Sequence, residues 1–321
     1  MPPKLETSTL TGLAIGDALG MPFETHPHTS EALLQWDGSF QSGATNNLQP
    51  QRKPGEWTDD TKMAIALAES LLESACYNPV LAVANYSDWY RTGDLRGIGK
   101  ATREAMDRVI LGHHWNSSGV IHAQGNGPSM RIAPMGVFYR HSLLAVAEMT
   151  RVDAWITHRS QEAQEGAVAV AMAVALLAEG TVKKQELIKP ILNLLQGGSD
   201  GFTTLTEARL IELDKFLAEG PSFAQSFRYL IEKGTKAVTD QTVPAAFLCF
   251  MATDTFKGAV DMAVRAGGDT DTVGAITGAL AGTYYGKEQL EPYLDQLEEA
   301  EYLQHLDHLL WIGAPEIPED T

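Results

Sequence analysis

The sequence predicts an all-α protein, read as a single domain over residues 1–321. Three observations carry that reading. Apolar residues recur at three- and four-residue steps in nearly every long segment, alternating strand-like patterns are scarce, and no flexible linker or fixed-period repeat divides the chain. With 321 residues, 44% of them hydrophobic, there is ample chain to bury a core without disulfide or metal staples.

The elements follow in order. Gly12, Gly16 and Gly20, at four-residue spacing, make one bare helix face against which a second helix can pack closely, and Pro22 breaks that helix. Residues 62–75 place Ile65, Ala68, Leu72 and Ala75 along one face. Residues 80–91 and 102–111 read as two further helices. The Ala- and Val-rich stretch 163–179 is long for a strand and ends at Gly180, a natural C-cap residue. Its apolar run, 167–178, has twelve members, short of the ~20 that cross a bilayer. Helices then follow over 184–195, 205–218, 223–233, 245–251, 256–266 and 272–285. A last one, 287–310, holds the densest acidic cluster. The longest irregular stretches are 26–55 and 112–134, and loops of that size often carry function.

Charge narrows the partners. The chain has 24 Lys and Arg against 41 Asp and Glu, a formal net charge of −17. That balance disfavours a nucleic-acid backbone or an anionic membrane surface, both of which bind through basic residues. It suits solubility, a basic partner or divalent cations. Cys76 and Cys249 both lie in apolar surroundings and form no metal-type pair, so two buried free thiols are expected. The opening MPPKLETSTL has one Lys and no apolar run after it, so the expected setting is cytoplasmic and reduced.

Chemistry-bearing residues interrupt the apolar helices at four places. Thr58-Asp59-Asp60-Thr61 sits where a long helix begins, and Asp269-Thr270-Asp271-Thr272 repeats the arrangement at the mouth of another. Each alone reads as N-capping with acids in the first turn. Two such clusters about 210 positions apart are harder to explain by capping, and all-oxygen ligands favour Mg²⁺, Mn²⁺ or Ca²⁺ over zinc. Asp269 and Asp271, one residue apart, would point the same way from an extended backbone. Glu24, just after Pro22, is placed either to reach a site or to lie on the surface. Gly125-Asn126-Gly127-Pro128-Ser129-Met130 reads as a turn whose amides could face a phosphate, and His158 precedes the Ala-rich helix.

Taken together, GLAIGDALGMPFE, GEWTDDTKMA, GNGPSMRIAP, THRSQEAQEGA and GGDTDTVGAITGALAGTYYG resemble, in order from Gly12 to Gly286, the landmarks of the ADP-ribosylglycohydrolase family. That family includes dinitrogenase-reductase-activating glycohydrolases, ADP-ribosylarginine hydrolases and J1 crystallins. The resemblance implies a compact all-α fold with two Mg²⁺ ions, or Mn²⁺, at the bottom of a cleft. Thr58, Asp59, Asp60, Asp269, Asp271 and Thr272 would be their ligands. The segment Gly125, Asn126, Gly127, Pro128, Ser129 and Met130 would hold ADP-ribose through its diphosphate, with His158 touching the same ligand. Glu24 matches a glutamate near the metals that acts in catalysis in some members, and Asp17 and Asn126 match supporting residues. In one departure, Gly97 stands where many members carry an Asp; Asp94, three residues earlier, is the nearest substitute.

The implied activity is hydrolysis of ADP-ribose from a modified protein side chain, arginine first, with Asp59, Asp60 and Glu24 moving protons. The alternatives are an immunity protein that also blocks an ADP-ribosylating toxin by binding it, a non-catalytic crystallin-like member, or a two-metal phosphoesterase.

Overall fold

A computed structural model describes residues 6–43, 52–198 and 203–315 of the chain. Thirteen helices of ten residues or more build it: α1 (Thr9–Gly20), α2 (Asp59–Ser74), α3 (Pro79–Thr92), α4 (Lys100–Ile110), α5 (Leu143–Trp155), α6 (Gln161–Glu179), α7 (Ile188–Gly198), α8 (Leu205–Ala218), α9 (Phe223–Lys233), α10 (Thr239–Met251), α11 (Phe256–Arg265), α12 (Thr270–Tyr285) and α13 (Ala300–Ile312). Among the described residues there is no strand, only the isolated bridges Pro27–Gly267 and Val120–His158. No described helix is long and apolar enough to cross a membrane.

The centre of the molecule is the pair α1 and α12. Every residue of α1 is buried, and so is α12 from Thr270 to Thr283. The bare glycine face explains why. A Cβ on Gly12 would lie 2.4 Å from the Gly278 carbonyl oxygen, and one on Gly16 would lie 2.0 Å from that of Gly274. The two backbones therefore touch, which no larger residue permits. The Thr270 hydroxyl donates to the Gly20 carbonyl (2.7 Å), tying the end of α1 to the start of α12. The alanine-rich α6 is buried along most of its length and completes the interior.

Buried acids cap helices that are remote in sequence. Ser8, at the N-cap of α1, makes no side-chain cap bond. Asp307 in α13 does that work instead, accepting from the Leu10 and Thr11 amides (2.7 and 3.0 Å) and the Thr11 hydroxyl (2.7 Å). Glu162 in α6 accepts in the same way from the Leu205 and Thr206 amides at the start of α8 (2.9 and 2.7 Å). Part of the acidic surplus is thus consumed inside, against the positive ends of helices. Asp307→Ala should destabilise the protein by about 2 kcal/mol, since it orphans two buried amides at once. Urea unfolding measures this, and a midpoint equal to that of the native chain would refute the capping role.

Several boundaries differ from the sequence reading. The stretch 287–310 is not one helix: a 3-10 turn (Lys287–Gln289) and a short helix (Glu291–Leu294) precede α13. Glu299 there adopts a left-handed φ of 54°, and Glu298 N donates to the Gly55 carbonyl (3.0 Å), so tertiary pairing and acid repulsion stop the helix. Residues 184–187 open on a 3-10 turn before α7. The helix expected over 245–251 starts at Thr239 and carries Pro244 inside it, because the Thr239 hydroxyl anchors its first turn to the Gln124 and Gly125 carbonyls (2.9 Å each). Helix α5 was not foreseen, its apolar residues being spread over exposed Leu144 as well as buried Val146. The stretch 112–134 holds two one-turn helices (Trp115–Ser118 and Gly127–Arg131). Cys249 is buried as expected, but Cys76 is exposed, just past the left-handed Ala75 that ends α2.

Candidate active site

The site is built from the N-termini of α2 and α12, which the glycine contact brings to the same place. Asp17 projects from α1 and accepts four hydrogen bonds: from the Thr58 amide and hydroxyl (2.9 Å each), the Thr61 amide (3.2 Å) and the Thr61 hydroxyl (2.7 Å). It caps α2 from outside, which fixes the first-turn residues Asp59 and Asp60. Across from them, Asp269 is the N-cap of α12 and Asp271 lies in its first turn. The pair is therefore not extended as the sequence spacing suggested: Asp269, at φ −89° and ψ 68°, stands just outside the helix and Asp271 inside it. Gly267 and Gly268, at φ of 71° and 79°, turn the chain sharply into the helix. Asn126 donates to Asp269, and to the Thr242 hydroxyl at 2.9 Å.

Glu24 joins this group directly. Its carboxylate and those of Asp269 and Asp271 offer oxygens all within 4.8 Å of one another. So many acids in one buried place raise each other's pKa. Repulsion from Asp271, then burial, pushes Glu24 up to about 8. Burial, then Asp271, pushes Asp17 up to about 6. Asp59, Asp60 and Asp269 are raised well above the carboxylate range, chiefly by burial. Asp60 Oδ1 is buried with no hydrogen-bond partner. Unshielded buried carboxylates are costly unless a cation answers them. The oxygen donors and the orphaned Asp60 atom fit divalent cations.

A cavity of about 530 Å³ opens from the carboxylates. Glu24, Asp59, Asp60, Asp269, Asp271 and Thr272 form its floor, and Gly125, Asn126, Gly127, Met130 and His158 form one wall. Thr58, occupied with Asp17 and Asp60 (3.3 Å), lies behind that floor. Pro128 and Ser129 belong to the same turn but do not line the cavity; Ser129 is fully buried against Gly166 of α6.

His158 is oriented by a buried ion pair. Arg131 and Asp153, both fully buried, meet at 2.9 Å, with the Tyr86 hydroxyl also donating to Asp153 (2.9 Å). Arg131 then donates to the Thr157 hydroxyl (2.9 Å), and that hydroxyl lies 2.9 Å from His158 Nδ1. Arginine only donates, so the Thr157 hydroxyl accepts from it and keeps its own proton free to go to Nδ1, which assigns the ring its Nε2–H tautomer. Burial, reinforced by Arg131, lowers His158 to about 3. The ring is therefore neutral, with Nε2–H turned toward Gly125 and Gly127 on the cavity wall. Thr157→Val should weaken ligand binding about tenfold, roughly the value of one oriented hydrogen bond. Ring ¹⁵N shifts would show the mixed tautomer, and an unaltered ring in that variant would rule the relay out.

Asp94 does not reach the cavity floor. It is paired with Arg96 (2.8 Å), which also binds Glu298 (2.7 Å) and crosses the Trp57 ring. Gly97 does line the cavity, and a Cβ there would lie 2.3 Å from Asp59 Oδ1. Sequence reasoning missed Arg52, the buried cation that opposes the pKa rise of Glu24 and Asp271. It also missed Lys100, Thr102 and His122 on the cavity wall. Arg52 and His122 fall in the two long irregular stretches, the only signal they had.

The described residues are all-helical, with acidic clusters on two facing helix N-termini over one cavity, and the comparisons place the chain in a glycohydrolase family. The chain belongs to the ADP-ribosylglycohydrolase family, whose profile matches residues 7–316. It is 29% identical to the ADP-ribosylarginine hydrolase Tri1 of Serratia proteamaculans, over 96% of this chain and 79% of that one. Human ADP-ribosylhydrolase ARH3 is 25% identical, over 88% and 85%. A solved structure described as an ADP-ribosylglycohydrolase-related protein complex superposes with a TM-score of 0.77 at 29% identity, covering 96% of this chain and 97% of its own.

Proposed function

We propose that the protein hydrolyses the bond between C1 of the distal ribose of ADP-ribose and a protein side chain, arginine being the acceptor. The observation that carries this reading is the convergence of five carboxylates, one with an orphaned oxygen, on the floor of a cavity whose wall presents the His158 ring. Thr58, Asp59, Asp60, Asp269, Asp271 and Thr272 would hold two Mg²⁺ ions. When bound, such ions supply Lewis acidity at the attacking water and at the distal ribose hydroxyls.

The chain's own groups do the rest. His158 and the turn 125–130 hold the diphosphate portion. The floor carboxylates oppose the positive charge that develops on the ribose as the C–N bond breaks. Asp59 or Asp60 receives the proton of the attacking water, and Glu24 delivers one to the departing guanidine. Water oxygen replaces nitrogen at C1, giving free ADP-ribose and unmodified arginine. Asp17 and Asn126 act by orienting Thr58, Thr61 and Asp269. We assign this activity to the cytoplasm.

Mass-spectrometric detection of free ADP-ribose from arginine-, serine- and nucleic-acid-linked substrates, with and without chelator, tests the reading. Release from the arginine linkage that chelator stops is the expected result. Turnover of phosphoesters with no release from any ADP-ribosyl linkage would overturn it.

A further inference from the structure

A second cavity, of about 480 Å³, lies against the same carboxylates. It shares Glu24, Ala237 and Asp269 with the first, so the reacting centre has open space on two sides. The walls of the two spaces differ. The first carries the His158 N–H, Lys100 and the glycine turn, donors suited to phosphate oxygens. The second has Pro27, Ile231 and Ala266 as its apolar wall, with His26, His28 and Lys236 also on the lining, and its acids lie only where it meets the first.

The wall of the second space is preformed. Thr25 N donates to the Gly268 carbonyl (2.6 Å), Gly268 N donates to the His26 carbonyl (2.8 Å), and Pro27 bridges Gly267. Thr25 holds a left-handed φ of 68°, unusual for a β-branched residue. The loop 24–28 is thereby locked to the backbone that leads into Asp269. A wall fixed in advance lowers the ordering cost of whatever it receives.

A substrate with an ADP-ribosyl group on one side of the broken bond and a side chain on the other needs two such spaces. We infer that the second cavity is the acceptor subsite, taking the alkyl stem and guanidinium of the modified arginine while the first takes the nucleotide. This rests on the functional reading above. The apolar walls match three methylenes, and Glu24 at the junction stands where the departing guanidine takes up its proton. Serine would leave those walls uncovered. Lys236, exposed on the cavity lining beside His26 and His28, is the lysine there that opposes a cation.

Two variants test the inference on an ADP-ribosyl-arginine peptide, with calorimetric binding of free ADP-ribose as the second readout. Ile231→Trp fills the second space. It should raise KM for the peptide about tenfold while the Kd of ADP-ribose stays within about twofold. Lys236→Glu, a surface charge reversal that should not disturb folding, should lower KM for the arginine peptide several-fold and leave a serine-linked peptide unchanged. Unchanged arginine KM in Lys236→Glu overturns the assignment, as does loss of ADP-ribose binding by folded Ile231→Trp, which would put the nucleotide in this space. A native protein that binds no ADP-ribose and releases none overturns the functional reading itself, and is seen before any variant is made.

Discussion

Replacing Asp59 and Asp60 together by alanine should abolish the proposed release of ADP-ribose and should also remove the stabilisation expected from Mg²⁺. The two effects share one cause. In the cation-free protein Asp59 and Asp60 are raised well above the usual carboxylate pKa, by burial first and then by Asp271 and Asp17. A carboxyl whose folded pKa exceeds its unfolded value adds stability that is fully present below the unfolded pKa and lost as pH rises through the folded one. Asp17 and Glu24, raised to about 6 and about 8, set the window. The melting temperature of the cation-free native protein should therefore fall between about pH 4 and pH 8. The double variant removes two of the repelling groups, so its decline should be shallower and its cation-free form more stable at neutral pH. Mg²⁺ at a hundred times its Kd should contribute about 2.7 kcal/mol to the native protein and close to none to the variant. Turnover should drop about a thousandfold or more. A variant that keeps both the Mg²⁺ response and its turnover would show that these carboxylates hold no cation.

Some of this site was legible in the sequence because its residues break a pattern. Asp59, Asp60, Asp269 and Asp271 stand in polar clusters at the mouths of apolar helices, and the same residue types recur at both. The glycine face of α1 was legible too, since four-residue spacing alone defines a bare stripe. What stayed hidden depends on contacts between distant positions. Asp307 reads as one more acid in an acidic helix, yet it caps amides 296 and 297 positions away. Glu162 reads as a first-turn acid of its own helix and instead caps α8. Arg131 and Thr157, which set the tautomer of His158, lie 26 positions apart, and the hydroxyl between guanidinium and imidazole appears only once α5 turns the chain back. The second cavity has no linear signature, because its walls come from the loop after α1, from α9 and from the end of α11.

Gly16→Ala should be among the most damaging single-methyl additions in the protein, and it acts on the site as well. A Cβ there would stand 2.0 Å from the Gly274 carbonyl oxygen and 3.0 Å from the Ala275 amide nitrogen. Both are main-chain atoms of α12, so no flexible side chain can yield; the helices must move apart or α1 must bend. Overpacking a close contact costs about 3 kcal/mol and can cost more when backbone is what must shift. Gly93→Ala is the control, because a Cβ at that position meets nothing within 4 Å and bears only the strain of a φ of 78°. That strain is worth about 1–2 kcal/mol. The function suffers beyond stability: Asp17 follows Gly16 directly, and separating α1 from α12 shifts both the cap on α2 and the distance between Asp17 and Asp271. Gly16→Ala should therefore lose kcat even at temperatures where circular dichroism shows it folded, whereas Gly93→Ala should lose stability alone. Equal melting temperatures for the two variants, or full turnover in folded Gly16→Ala, would mean that the contact between α1 and α12 does not set the spacing of the carboxylates.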